Sequence, residues 1–391
     1  TGAALLFKWI NFFYEAEQTN WRNLEFSSDQ MLLRDQARKF LEGHESVRKA
    51  REIIEGDNSY DDPLWKSIIE MGWTATTIPE DLDGLGLGYL ELCVIAEELG
   101  RSLAPTPYSS SVYLATEALL LQSSEEIQKI YLPKLAVGEI VGTLAHTEAT
   151  TAPTQKNLKC ELNKNKLNGK KIAVPDGDIA NFAVVSALTD KRVVLCIVDL
   201  SSKGVEVTSQ QTLDPSRSHA SLTFKNAEAQ ILESDKDGWE VLQQILDRAA
   251  ILFAFEQLGG AEACMDMAKE YALGRFAFGR PIASFQAIKH KIADMYIAVE
   301  LARSNCYFGA WALSTNSPEL PTAAATARVS ASKAFYECSK ENIQTHGGMG
   351  FTWEFDCHLY YRRCRQLAAN IGSQAIWKNK LINSLEKANQ I

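Results

Sequence analysis

Residues 274–295 read GRFAFGRPIASFQAIKHKIADM, and they interrupt two helix-patterned segments with an arginine, an aromatic residue, a glycine and a proline in close order. An ordinary interhelical turn accounts for Gly279 and Pro281 but not for the whole set. Arg275 is suited to pair with a phosphate, and Phe278 offers an apolar plate to a ring system. Gln286 supplies both a donor and an acceptor at the start of the next helix. A second stretch, QTHGGMGFTWEFD at 344–356, places three glycines in four positions of an alanine-rich helical region. Glycines there weaken the helix and let another molecule approach the backbone N–H groups closely. Its HGG also resembles the oxyanion element of some esterases, but no G-x-S-x-G elbow is present, so a hydrolase reading fails.

Outward from these stretches, apolar spacing of three and four predicts long helices over 238–273, 284–314, 320–345 and 365–387, joined shortly enough for an antiparallel bundle. Residues 140–237 change texture. KLNGKKIAVPDG, ANFAVVSAL, RVVLCIVDL, GVEVTSQQ and HASLTFKNA are short β-branched runs between turn residues, which predict a mostly antiparallel sheet or barrel. Residues 26–139 are helical again, with Ser27 or Ser28 as first N-cap and a glycine-shaped loop, GLGLG, that lacks a dinucleotide-binding context. The expected fold is α+β, mainly α: an extension helix over 1–25, an N-terminal helical domain over 26–139, a β domain over 140–237 and a C-terminal four-helix bundle over 238–391.

The 391 residues are 46% hydrophobic with a formal charge of −9, enough for a sizeable core and the wrong sign for a nucleic-acid footprint. Arg362, Arg363 and Arg365 form a local positive cluster that could meet a phosphate. Eight cysteines without CxxC spacing predict reduced, mostly buried thiols, no disulfide framework and no metal site, as in a cytoplasmic protein. The apolar run near the start is too short to span a bilayer, so no integral membrane segment is expected.

Taken together, the two stretches resemble the acyl-CoA dehydrogenase family of flavoproteins. The resemblance runs from about residue 26 to the C-terminus and includes AEELGRSLAPTP, HTEA at 146–149, GW at 238–239 and the two stretches above. It implies FAD, an acyl-CoA substrate with a CoA site at the entrance of the β domain, an electron-transfer flavoprotein as electron acceptor, and a tetramer built as a pair of dimers. By the same resemblance Arg275, Phe278 and Gln286 hold the adenosine and pyrophosphate of FAD. Gln344, Gly347 and Gly348 face the same cofactor from a neighbouring subunit, and Thr147 meets the flavin.

The family's reaction needs a carboxylate to accept the α proton of the thioester. Most members place a glutamate directly before a Gly-Thr or Gly-Ser, and here that position is Ile371. Others place it on the helix after GW, and here that position is Ala249. Asp247 lies two residues earlier, a rotation of roughly 200° along a helix, so it is a base only if the register differs. Glu256 is expected to be a packed helix carboxylate. The Gly-Ser pair that meets the flavin becomes Ala152-Pro153, and the Trp and Thr of the next strand become Ile172 and Val174. The small residues Ala249, Ala250 and Ala254 are expected either to widen an acyl pocket or to pack helices tightly. Three readings follow: an FAD-dependent acyl-CoA dehydrogenase with an unusual base, a non-catalytic or half-catalytic subunit of a heterotetramer whose sister chain supplies the glutamate, and an acyl-CoA or flavin binding module without turnover.

Overall fold

The computed structural model describes residues 26–190, 192–232 and 237–389. The helix expected over residues 1–25 lies outside them. The first described helix, α1 (Ser28–Gly43), begins at a reciprocal cap: Ser27 Oγ accepts the Gln30 N–H at 3.2 Å, and Gln30 Oε1 accepts the Ser27 N–H at 2.9 Å. It is followed by α2 (Ser46–Glu55), α3 (Asp62–Glu70), α4 (Tyr89–Arg101), a π-helical turn at Ser109–Thr116 that runs into α5 (Glu117–Gln122), and α6 (Glu125–Ala136). GLGLG is a loop leading into α4.

The β domain is one sheet of eight strands: β1 (Gly142–Ala145), β2 (Glu161–Asn163), β3 (Lys166–Pro175), β4 (Phe182–Leu188), β5 (Val193–Asp199), β6 (Val205–Gln210), β7 (His219–Glu228) and β8 (Gln230–Ile231). Its order is β6-β7-β3-β2-β4-β5-β8, with β1 beside β4. Pairing is antiparallel except where β1 and β2 meet β4. A separate core of Val, Leu and Cys side chains fills one face of the sheet.

The bundle consists of α7 (Gly238–Gly274), α8 (Gln286–Ser314), α9 (Leu320–His346), α10 (Cys357–Leu367) and α11 (Gln374–Asn389). The single helix expected over 365–387 is in fact two helices. They are separated by a turn at residues 368–373, where Gly372 takes φ 113°. Every residue of α7 from Ile245 to Ala261 is buried, the signature of a helix enclosed on all sides. Polar groups within this stretch are paired across the bundle: Arg248 donates to Asn316 at 2.8 Å, and Arg328 donates to Gln257 at 2.5 Å. α4 crosses α7 at backbone contact, since a Cβ on Gly100 or Gly259 would lie 1.8 Å from a carbonyl oxygen of the other helix. Arg303 of α8 bonds Glu97 of α4 (2.7 Å) and Glu262 of α7 (3.0 Å) beside that crossing. Breaking a buried pair of this kind costs about 3–5 kcal/mol, so the N-terminal domain and bundle form one packed body. All eight cysteines are free and buried. Among the described residues no helix is long and apolar enough to cross a membrane.

Candidate active site

A cleft of about 510 Å³ opens where the sheet meets the bundle. One wall is the segment after β1, including Thr147, Ala152 and Pro153, together with Ile172 and Ala173 of β3. The other is built from Gln243 and Leu246 of α7 and from the turn and helix that carry Ile371, Trp377 and Lys380. Thr147 is held in place because its carbonyl accepts the Ile172 N–H at 2.8 Å. Glu148, its neighbour in the HTEA motif, is scaffold. It accepts the backbone N–H groups of Lys159 (2.6 Å) and Cys160 (3.0 Å) and the buried ammonium of Lys171 (2.7 Å).

No Asp or Glu among the described residues lines this cleft. Ile371 does, with 3% of its surface exposed, so the first expected base position faces the cleft and bears a hydrocarbon. Ala249, the second, is fully buried in the helical core away from the cleft, as are Ala250 and Ala254. The pocket-widening role considered for these alanines is therefore corrected: they pack helices. Asp247 is 4% exposed and off the cleft wall, and its Oδ1 lies 2.6 Å from Lys380 Nζ. Burial pushes its carboxyl up to about 6 against the opposing pull of Lys380. Its register is the ordinary one, so the carboxylate points to Lys380 of α11 and does not line the cleft. Glu256 bonds Arg217 at 2.8 Å across the junction between α7 and the sheet, a packed carboxylate as expected.

Two histidines outside the set expected from the sequence face the cleft. His146, the residue before Thr147, is buried except for a cleft-facing edge and has no hydrogen-bond partner among the described residues. Burial and the nearby Lys171 hold its imidazole down at about 4, so the ring is neutral at physiological pH. His219 is instead braced between Asn370 Oδ1 (3.1 Å) and the Arg217 carbonyl (3.2 Å). The available signal for His146 was a lone histidine closing an apolar strand at the mouth of HTEA.

The residues expected to face a nucleotide gather elsewhere. β9 (Phe276–Ala277) and β10 (Arg280–Pro281) form a hairpin whose tip, Phe278 and Gly279, has φ of 52° and 79°. That is the pattern of a type I′ turn, and it leaves the Phe278 ring 95% exposed. Arg275 and Gln286, on either side, are exposed too. The glycine turn (Gly347–Phe351) lies alongside, because Tyr271 of α7 stacks on His346 with ring centroids 4.0 Å apart. Gln344, Gly347 and Gly348 are exposed, and a Cβ on either glycine would have no atom within 4 Å. Gly347 has φ 61° and ψ −139°, a conformation in which a side chain is strained. At 1.5 Å per residue, the 29 residues from Leu246 to Arg275 carry this end about 43 Å along α7 from the cleft.

One member of the positive cluster is internal, which corrects the phosphate-binding expectation for Arg363. Arg363 is 1% exposed and donates to Asp214, Ser216 and the Leu103 carbonyl. Arg362 donates to the Leu213 carbonyl at 3.0 Å. Arg365 alone of the three reaches the cleft.

A bound FAD fits this arrangement at its nucleotide end, where exposed Arg, Phe, Gln and glycine backbone surround open space. At the ring end there is room, with fewer donors. Pro153 has no N–H, the Ala173 N–H is already taken by Gln210 Oε1 at 3.1 Å, and Val174 is turned into the sheet core by the irregularity between Lys171 and Val174.

Family models agree with this architecture. Residues 27–139 match the acyl-CoA dehydrogenase N-terminal domain and residues 236–385 the acyl-CoA dehydrogenase C-terminal domain. The chain belongs to the acyl-CoA dehydrogenase family. It is 34% identical over 338 residues to acyl-CoA dehydrogenase IpdE2 of Mycobacterium tuberculosis, covering 86% of this chain and 90% of the relative. Among solved structures it is similar to one in the ChsE4-ChsE5 complex of the same organism, at 25% identity and TM-score 0.85, covering 93% of this chain and 98% of the other. It also shares its fold with a glutaryl-CoA dehydrogenase of Mycobacterium smegmatis in complex with FADH2, at 17% identity and TM-score 0.86, covering 94% and 97%.

Proposed function

We propose that this chain works in the α,β-dehydrogenation of an acyl-CoA thioester as a subunit that grips FAD together with another chain and contributes no carboxylate base. The supporting observation is the cleft wall itself: Ile371 occupies the position at which a proton acceptor is expected, and no acidic side chain replaces it among the described residues. FAD, when bound, supplies the hydride acceptor. This chain's residues bind and orient. Thr147 and the Ala152-Pro153 segment border the ring, and the apolar face of Ile371, Leu246 and Ile376 keeps water from the reacting carbons. Arg275 and Gln286 hold the pyrophosphate and adenosine, with Phe278 as a plate beside them.

The separation of about 43 Å along α7 exceeds what one extended dinucleotide spans, so the cleft and the nucleotide end of one chain serve different cofactor molecules. Arg275, Phe278, Gln286, Gln344, Gly347 and Gly348 therefore act together, on a flavin whose ring rests in a neighbour's cleft. The neighbour is a sister chain bearing the glutamate, in a heterotetramer. The missing carboxylate favours this over a homotetramer, and electrons pass to an electron-transfer flavoprotein.

The test is spectroscopic. The chain expressed alone should be colourless or yellow but inert, and co-expression with a sister dehydrogenase chain should give a yellow complex that acyl-CoA bleaches. Yellow protein that bleaches and turns over with an artificial electron acceptor without any partner overturns the subunit reading.

A further inference from the structure

Cofactor binding accounts for Gln344 to Gly348 but not for the rest of that stretch, FTWEFD, which the fold uses in another way. Arg51 of α2, 302 residues earlier, donates to the Trp353 carbonyl and, at 2.5 Å, to Asp356 Oδ1. Its guanidinium also lies 5.3 Å from the indole centroid. Glu55, one turn further along α2 and so on the same face, accepts the Trp353 Nε1–H. His358 stacks on the indole at 4.4 Å and 22°, and Arg362 sits 5.8 Å from its centroid. Both nitrogens of His358 are buried without a partner, and burial with Arg51 and Arg362 nearby lowers its basicity, so it packs as a neutral ring. Trp353 is nonetheless 43% exposed. Apolar burial alone does not hold it, and the charge-assisted bonds to α2 are what fix it.

Five residues before Trp353 lies Gly348, on a short 3₁₀ turn with open space on its outer side. The inner side is seated firmly, since a Cβ on Gly350 would lie 2.6 Å from the Ile343 carbonyl oxygen. The turn is thus anchored at one end by α9 and at the other by α2. We propose that Arg51 and Glu55 are positioning residues for the nucleotide-facing glycine turn, so that the N-terminal helical domain sets how tightly the bundle end holds its nucleotide. The ligand's identity rests on the cofactor reading above, whereas the fastening of the turn stands on the contacts alone.

Two readouts on the full chain, or on its yellow complex, test this: hydrogen–deuterium exchange over residues 347–356 and FAD affinity from flavin fluorescence. Arg51→Ala and Glu55→Gln should each speed exchange in that segment and weaken FAD binding by about tenfold, the scale of one charge-assisted bond. Exchange in α7 should stay unchanged. Arg48→Ala, on the same helix but paired only with Glu45 and Glu52 among the described residues, should change neither readout. Should Arg51→Ala fail to fold, Trp353→Phe, which removes only the Nε1 donor, carries the same expectation. Unchanged exchange and affinity in the α2 variants overturn the proposal, as does equal loosening throughout the bundle. A looser turn with unaltered FAD affinity overturns the nucleotide role. A wild-type complex that takes up no FAD overturns the cofactor reading instead, and faster exchange in Arg51→Ala still upholds the fastening.

Discussion

Ile371 and Asp247 divide the question of catalysis between them at the scale of single residues. Ile371 lines the cleft at the expected base position but carries a hydrocarbon, and Asp247 carries a carboxylate but lies off the cleft wall, paired with Lys380. A consequence for pH follows from the raised pKa of Asp247, about 6. The unfolded chain releases this proton near 3.9, so the contribution to stability is complete below about pH 4 and is lost as pH rises through about 6. The loss is on the order of 3 kcal/mol. Asp247→Asn should therefore gain stability relative to the wild type between pH 4 and pH 7, as denaturant midpoints at the two ends would show. In a working complex it should leave the rate of flavin bleaching within about threefold, whereas loss of a true base costs about 10²-fold or more. Ile371 was legible from the sequence because a motif fixes its place. Asp247 was legible as a mispointed side chain because helical rotation fixes its direction. His146 was not legible, since its exposure to the cleft depends on how β1 ends against β3, a contact that spacing along the chain does not encode.

Among the elements, the helices of the bundle were readable to within a residue or two because α7, α8 and α9 carry sustained apolar periodicity. The break between α10 and α11 was hidden because Ala368 to Asn370 still reads as helix, and only the backbone at Gly372 ends it. β1 was hidden too: GTLA is four residues long, and its partner strand lies forty residues away. The glycine turn shows what an element can be asked to do. A Cβ on Gly348 would meet no atom within 4 Å, and its φ is not positive, so Gly348→Val is expected to leave the melting temperature of the chain within about a degree, as for a surface change that touches nothing. The same variant should weaken FAD retention by about tenfold or more, since its side chain would stand in the nucleotide's approach. Calorimetry on the free chain and fluorescence on the flavin complex separate the two effects. A large thermal loss would mean that the turn is packed against something the open space does not suggest.

For the whole molecule, the order of helical domain, sheet and bundle places the cleft and the exposed hairpin and glycine turn, the two halves of the proposed site, at opposite ends of α7. The residue types at each half were visible in the sequence, as was the long helix over 238–273 between them. That the cleft forms near the first turns of α7 was not, because it arises where the sheet meets the bundle, a contact that spacing along the chain does not encode. On the proposed function, the distance between the two halves makes assembly part of cofactor binding: each chain would offer a cleft to one flavin and a nucleotide grip to another. The most direct test is sedimentation velocity of the FAD-saturated protein, alone and with its sister chain, followed at the visible flavin absorbance. The absorbance is predicted to travel only with dimers or larger assemblies, and to disappear from the boundary as dilution yields single chains. A boundary at the mass of one chain that still carries flavin would contradict it.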